Sequence, residues 1–269
     1  MNRIPQVTKH ILLINLFMMI FTMLRENFMM STFALYYPTS PLFHWWQPLT
    51  HMFMHGGWWH FFFNMFTMLM FGCTLERQWG PKKFLTFYIV TGLGAAMLHL
   101  GVTWLQIHSL MGEIADGGAT AAAAMSQINF IKRVPMVGAS GAIYGLLLGF
   151  AMLYPNDRIT CFLLFFIIML VSILFPGSAI VSSISDILFV VLLVSMFLPG
   201  GSLMRLFIPV SLKAKWWVII MAAMELCIGV FALGDGIAHF AHLGGMLFGF
   251  LMIKRWKRKG EMYQYEGWN

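Results

Sequence analysis

The sequence predicts an all-α polytopic membrane protein. Its 269 residues include 17 Lys+Arg and 10 Asp+Glu, so 10% are charged, whereas a soluble domain carries roughly 25%. Hydrophobic residues make up 59% of the chain, aromatic residues 16%, and the mean hydropathy is +0.77. This composition excludes a soluble globular enzyme. It also excludes collagen-like, disordered and disulfide-rich secreted chains, because they need Gly repeats, a polar excess or many cysteines.

Eight apolar runs approach the length of about 20 residues that crosses a bilayer as a helix. The weakest run is 179–198, because Ser182, Ser183, Ser185 and Asp186 interrupt its first half. The first run has no clear small-residue cleavage site after it, so we expect a membrane anchor and not a cleaved signal peptide. The longest polar stretch, 106–135, is expected to be an outer loop. The runs are 11–30, 58–75, 84–105, 137–154, 159–175, 179–198, 216–233 and 237–253.

The basic residues predict the orientation. Because Lys and Arg accumulate in cytoplasmic loops, a cytoplasmic N-terminus and eight crossings place 14 of the 17 basic residues inside and leave Arg25, Lys132 and Arg133 outside. Residues 159–198 must then contribute an even number of crossings, or none, to keep the basic C-terminal tail inside. The net charge of +7 is thus interpreted as a topology signal and not as a nucleic-acid site, since no basic stripe is present.

The three cysteines, Cys73, Cys161 and Cys227, lie inside or at the ends of apolar runs and lack CxxC spacing. We therefore expect them to be small apolar residues and not a metal site or a redox pair.

Polar side chains at membrane depth mark candidate sites, because they are costly there unless they face a bundle interior or a wet cavity. Three clusters, 51–64, 137–145 and 238–245, begin three of the runs on the outer side. His60 and Asn64, four residues apart, share one helix face in the first cluster. The second cluster contains Ser140 and the third contains His242, so the three clusters are expected at similar depth.

Glycine spacing predicts that two of these clusters meet. Gly141, Gly145 and Gly149 form one small-residue face, and Gly245 and Gly249 follow His242 on another; such faces let membrane helices approach closely. Their contact would bring Ser140, a nucleophile, to His242, a base. An oxyanion could be stabilised by His60, Asn64 and the Ser140 backbone N–H. The set is a complete acyl-transfer site that lacks only an acid behind the histidine.

The motifs resemble those of the rhomboid family of intramembrane serine proteases. They are HxxxHxxxxHxxxN ending in His60 and Asn64, GxSG around Ser140, and AHxxG around His242, with Glu76-Arg77 and Gly80 matching the turn after the second core span. The resemblance implies that Ser140 is the nucleophile, His242 the general base, and His60 and Asn64 the oxyanion hole. It also implies a Ser–His dyad without an acid and a Tyr144 ring packed on the catalytic imidazole.

The resemblance further implies an endopeptidase that cleaves transmembrane segments of client proteins, without metal, nucleotide or redox cofactor. The expected architecture is a bundle of six core transmembrane helices in one domain, 1–255, followed by a cytoplasmic tail, 256–269. The chain departs from simple bacterial rhomboids at 158–204, where mostly apolar residues predict an extra hairpin between the fourth and fifth core helices. A bacterial cytoplasmic membrane is the expected location, with both termini cytoplasmic.

Several alternatives stay open. A metal site could use His51, His55 and His60 or His239 and His242, but no Glu lies between paired histidines as in a zincin. A catalytically inactive rhomboid-like protein could bind membrane clients without cutting them, and a transporter would need discontinuous helices around a midplane site. His51, His55 and His239 are expected to brace the site, whereas His99 and Glu225 are expected to face the interior and to be paired with partners that the sequence does not name.

Overall fold

A computed structural model describes residues 3–115, 121–162, 187, 209–231 and 239–261. Helices account for most of these residues, in agreement with the predicted helical class. They are α1 (Gln6–Leu24), α2 (Glu26–Phe33), α3 (Gln47–Thr50), a 3-10 turn (His51–Phe53), α4 (Trp58–Thr67), a π-helical turn (Met68–Gly72), α5 (Cys73–Trp79), α6 (Pro81–Ala115), α7 (Ala121–Arg133), α8 (Ser140–Leu153), α9 (Ala214–Phe231) and α10 (His239–Arg258).

Two of the helices in the described ranges, α1 with 19 residues and α6 with 35, are long and apolar enough to cross a membrane, and α8 is a shorter apolar helix. On α1, large apolar side chains such as Phe17 and Phe21 are exposed. An exposed apolar face of this kind suits contact with lipid, because hydrocarbon and not water then surrounds it.

Helices α6, α8 and α10 form the centre of the bundle. From Gly141 to Gly149, α8 packs on Ala95, Thr91 and then Phe87 of α6, so these two helices are antiparallel. Along α10, Gly245 meets Gly141 and Gly249 meets Gly145, so α8 and α10 are parallel and their N-terminal ends lie together. This arrangement places both helix starts, and the polar residues on them, at one end of the bundle.

A buried carboxylate fixes the N-terminus of α1. Glu76 accepts hydrogen bonds from the backbone N–H of Val7 (2.9 Å) and from both the backbone N–H and the hydroxyl of Thr8 (2.7 Å each). The first N–H groups of a helix lack intrahelical partners, so a carboxylate there both satisfies them and complements the helix dipole. Glu76 thus ties α5 to the start of α1, at the opposite end of the bundle from Ser140.

The structure differs from the predicted spans in three places. The first run is divided at Arg25 into α1 and α2. The supposed outer loop, 106–135, is helical where it is described, because α6 continues to Ala115 and α7 covers Ala121–Arg133. The run 159–175 does not begin as a helix.

Instead, a strand, β1 (Arg158–Phe162), pairs antiparallel with a second strand, β2 (Pro209–Lys213), with Arg158 opposite Lys213 and Phe162 opposite Pro209. The rest of that run, the run 179–198 apart from residue 187, and most of the insertion 158–204 lie outside the described residues.

Candidate functional site

Ser140 and His242 meet at the N-terminal ends of α8 and α10. Ser140 is the first residue of α8, and His242 lies in the first turn of α10. The Ser140 Oγ is 2.8 Å from Nε2 of His242, a hydrogen-bond distance between residues 102 positions apart in the chain. The predicted meeting of these two residues is therefore present in the structure.

The glycine faces account for this proximity. A methyl group on Gly245 would overlap the backbone carbonyl of Gly141, and one on Gly145 would lie 3.0 Å from the carbonyl of Gly245. Only residues without a side chain allow two helix backbones to lie this close. The predicted contact between the two glycine faces is confirmed, and it sets the separation of the two helix starts that carry Ser140 and His242.

Tyr144 orients the imidazole. It lies one turn after Ser140, and its ring stacks on that of His242 with the centroids 4.2 Å apart and the planes 2° from parallel. This contact confirms the packing that the resemblance implied for Tyr144. A stacked ring restricts the rotation of the histidine and leaves its two nitrogens at the edges, free to contact groups in the plane.

Gly138 brings His60 next to the serine. Its φ of 122° lies in the region that favours glycine, and a Cβ there would lie 2.7 Å from Cε1 and Nε2 of the His60 ring and 3.5 Å from Ser140 Oγ. The backbone before α8 is held on both sides, because Gly138 N–H donates to the carbonyl of His51 (2.9 Å) and Met136 exchanges two hydrogen bonds with Leu35.

His60 and Asn64, four residues apart on α4, are the two candidate side-chain donors. The backbone N–H of Gly56 donates to Nδ1 of His60 at 3.4 Å, which leaves Nε2, the nitrogen beside Gly138, to carry the proton. Asn64 is buried, and within the described part of the chain its Nδ2 has no hydrogen-bond partner. An amide N–H that is buried without a partner is costly, so Asn64 has the property expected of a donor kept for an oxyanion.

Glu225 is the functional candidate whose contacts the sequence did not reveal. From α9 it contacts three side chains: its Oε2 is 2.7 Å from Nδ1 of His239, its Oε1 is 2.9 Å from Nδ1 of His242, and the hydroxyl of Tyr144 donates to the same Oε1. The sequence placed Glu225 in an apolar run and expected it to be paired. Glu225 and His242 do not belong to one motif of fixed spacing, so the only sequence signal for a role of Glu225 was an acidic residue at membrane depth.

The described residues contain one group with metal-ligand spacing, and it is Glu225, His239 and His242, whose ligand atoms lie within 4.8 Å of one another. It includes His239 and His242, one of the two sets that the sequence offered as a metal alternative, and not the other set, His51, His55 and His60. The carboxylate already contacts both imidazoles directly, so the site as it stands is filled by its own hydrogen-bonding groups.

The bracing residues are placed as follows. His51 is buried with Nδ1 3.1 Å from the carbonyl of Gln47, and His55 packs edge-on against His60 with the ring centroids 5.1 Å apart. His99 lies half-buried on α6, and its predicted pairing remains a prediction.

Comparison with known proteins identifies similar chains. The Rhomboid domain model matches residues 42–197, which is more than half of the chain; it includes His60, Asn64 and Ser140 and ends before His242. RHOMBOID-like protein 12, mitochondrial, of Arabidopsis thaliana is 31% identical over 122 residues, 44% of this chain and 32% of the relative. Rhomboid protease AarA of Providencia stuartii is 29% identical over 121 residues, 41% of this chain and 43% of the relative.

A third relative, RHOMBOID-like protein 6, mitochondrial, of Arabidopsis thaliana, is 28% identical over 102 residues, 38% of this chain and 24% of the relative. The chain thus aligns with less than half the length of each of these relatives. The family model, the three ordered motifs and the meeting of Ser140 with His242 agree with one another, and the chain belongs to the rhomboid family.

Proposed function

We propose that the chain is an intramembrane serine endopeptidase that cleaves transmembrane segments of client proteins. The observation that carries the proposal is the 2.8 Å contact between Ser140 Oγ and His242 Nε2, and the buried amide of Asn64 on α4 supports it. A relative, AarA of Providencia stuartii, is named a rhomboid protease. Membership of the family makes the chain an integral membrane protein.

In the proposed reaction, Ser140 Oγ attacks the carbonyl carbon of the scissile peptide bond while its proton passes to Nε2 of His242. The oxyanion that forms is stabilised by Nε2–H of His60, the Asn64 amide and the backbone N–H of Ser140. His242 then gives the proton to the leaving amine as the C–N bond breaks, which leaves an ester on Ser140. Water, activated by the same imidazole, hydrolyses this ester and restores the serine.

We further propose six core spans: α1, the continuous segment from α4 to α5, α6, α8, α9 and α10. The bundle would form one domain over 1–255, with the tail 256–269 outside the membrane. Because β1 and β2 pair, the two ends of 163–208 lie side by side. This segment would therefore cross an even number of times, as the hairpin in the sequence prediction does, and a client segment would enter the bundle laterally.

The orientation follows from where the basic residues lie. Lys257 Nζ contacts the carbonyl of Met152 at the C-terminal end of α8, and Arg77 donates to the carbonyl of Arg3 near the start of α1. This end of the bundle is opposite to Ser140. By the preference of Lys and Arg for the cytoplasmic side, both termini would be cytoplasmic in a bacterial cytoplasmic membrane, and Ser140 would lie near the outer face.

The proposal is tested with purified protein and a model single-span substrate. Wild type should cleave it and should react with a fluorophosphonate probe, whereas Ser140→Ala should do neither and His242→Ala should lose at least about 1000-fold in rate. Cleavage by Ser140→Ala at the wild-type rate would refute the nucleophile. A folded wild type that retains an uncut client and does not react with the probe would instead favour the inactive client-binding protein.

A further inference from the structure

We propose that Glu225 is a positioning residue for His242, so that Ser140, His242 and Glu225 act together as a triad in place of the expected dyad. This inference rests on the proposed protease function and deepens it. It is carried by the three contacts that the Glu225 carboxylate makes, all of them with side chains at the site.

The two nitrogens of His242 have different neighbours. Nε2 is 2.8 Å from Ser140 Oγ, and Nδ1 is 2.9 Å from Oε1 of Glu225. A carboxylate accepts hydrogen bonds and cannot donate when ionised, so it favours the tautomer that has its proton on Nδ1. Nε2 is then the acceptor, which is the form that can take the proton of Ser140.

The contact between Nδ1 of His242 and Oε1 of Glu225 has the length of a hydrogen bond, but its angles are not those of a well-formed one. The same Oε1 accepts a hydrogen bond from the hydroxyl of Tyr144, whose ring stacks on His242. Catalytic hydrogen bonds in proteins without substrate are often poorly aligned and tighten when the substrate binds.

The carboxylate is itself held in place. Glu225 and His239 are 7% and 6% exposed, and Oε2 of Glu225 is 2.7 Å from Nδ1 of His239, on the same helix as His242. The Tyr144 hydroxyl also donates to the carboxylate and His242 Nδ1 contacts it, and polar neighbours of this kind keep a buried carboxylate ionised. His239 and Tyr144 thus hold the negatively charged carboxylate next to the ring of His242, which becomes an imidazolium during the attack.

Glu76 supplies a matched comparison within the chain. It is also a buried glutamate, but its three donors belong to the first turn of α1, at the other end of the bundle. A purely structural carboxylate has this pattern. The substitutions Glu225→Gln and Glu76→Gln therefore change the same chemical group in a similar burial, and only the first one touches the site.

The experiment measures kcat and KM for cleavage of the single-span substrate, together with thermal unfolding in detergent. For Glu225→Gln we expect kcat to fall about 10- to 100-fold, with KM changed by less than about threefold, because the loss affects the transition state. Glu225→Asp keeps the charge on a shorter side chain and should lie between Gln and wild type. Glu76→Gln should lower the unfolding temperature and keep the kcat of wild type.

A double substitution separates positioning from packing. If Glu225 acts through His242, Glu225→Gln should cause no further loss in a His242→Ala background, because coupled residues are not additive. The proposal is overturned if Glu225→Gln retains the wild-type kcat, if the two losses multiply, or if chelator abolishes wild-type activity and Zn²⁺ restores it, since Glu225 would then be a metal ligand. Failure of the protease function itself would differ, because wild type would then neither cleave nor react with the probe.

Discussion

At the scale of single residues, Gly138 combines two roles at the site. Its φ of 122° is costly for any residue with a side chain, and the position of a Cβ is already occupied by the ring of His60. The residue therefore sets both the backbone entry to α8 and the distance between His60 and Ser140. A change here should alter the geometry of the oxyanion site before it alters the fold.

We expect Gly138→Ala to reduce the rate of fluorophosphonate labelling at least about tenfold, because the strained backbone, costing about 1–3 kcal/mol, would relax by moving Ser140 or His60. Gly57→Ala is the matched control, since this glycine lies in the same outer region and a Cβ there has no heavy atom within 4 Å. Equal labelling rates for Gly138→Ala and Gly57→Ala would contradict the assigned role.

Asn64 should matter for rate and not for stability. Loss of one oxyanion donor costs about 100- to 1000-fold in kcat, so we expect a loss of this size for Asn64→Ala. Its unfolding temperature should stay equal to wild type or rise, because an unpaired buried amide is removed.

The matched control is Asn15→Ala, which removes a buried asparagine that donates to the carbonyl of Ile11 on α1, away from the site. It should keep the wild-type kcat. An Asn64→Ala variant with unchanged kcat would exclude Asn64 from the oxyanion hole.

At the scale of elements, the contact between α8 and α10 is the part of the fold on which the site depends. Gly141 and Gly245 bring the two backbones together, and Gly94 and Ala95 of α6 lie against Gly244 on the other side of α10. Three helices thus share a region with almost no side-chain volume. Their packing is sensitive to single methyl groups, because a close-packed interior cannot absorb added volume without moving its neighbours.

Gly245→Ala should force α8 and α10 apart and lower the free energy of unfolding by about 1–3 kcal/mol. Labelling of Ser140 should fall as well, since the separation of Ser140 from His242 depends on the same contact. Gly101→Ala on α6 is the control, because a Cβ at 101 meets no atom within 4 Å and alanine favours the helix. If Gly245→Ala and Gly101→Ala were equally stable and equally reactive, the glycine contact would not position the site.

At the scale of the whole molecule, the basic residues at the end of α10 and the candidate site lie at opposite ends of the bundle. Ser140 and His242 lie where α8 and α10 begin, His60 lies beside Gly138 just before α8, and the five basic residues within 254–259 lie where α10 ends. A parallel pair of helices makes this separation unavoidable, since both have their starts on one side. The position of the basic residues that make up most of the +7 charge therefore predicts how the site is oriented relative to the membrane.

Single cysteines placed at Lys132 and at Lys259, in a chain whose three native cysteines are replaced, should test the orientation in sealed vesicles or intact cells. We expect a membrane-impermeant maleimide to label position 132 from outside, and to label position 259 only after the membrane is permeabilised, because most basic residues are retained on the cytoplasmic side. Labelling of both positions from outside would contradict the proposed topology.

The amino-acid sequence by itself determined the membrane class and the family, and it predicted the sidedness and the four candidate residues Ser140, His242, His60 and Asn64. Those features follow from composition, from the distribution of charge and from local spacing, which are all properties of the chain read in order. Tertiary structure decided the partners of Glu225, the pairing of β1 with β2 and the contact of Gly138 with His60. These contacts join side chains on different helices, and their distances depend on how closely the helices pack and not on any interval in the sequence.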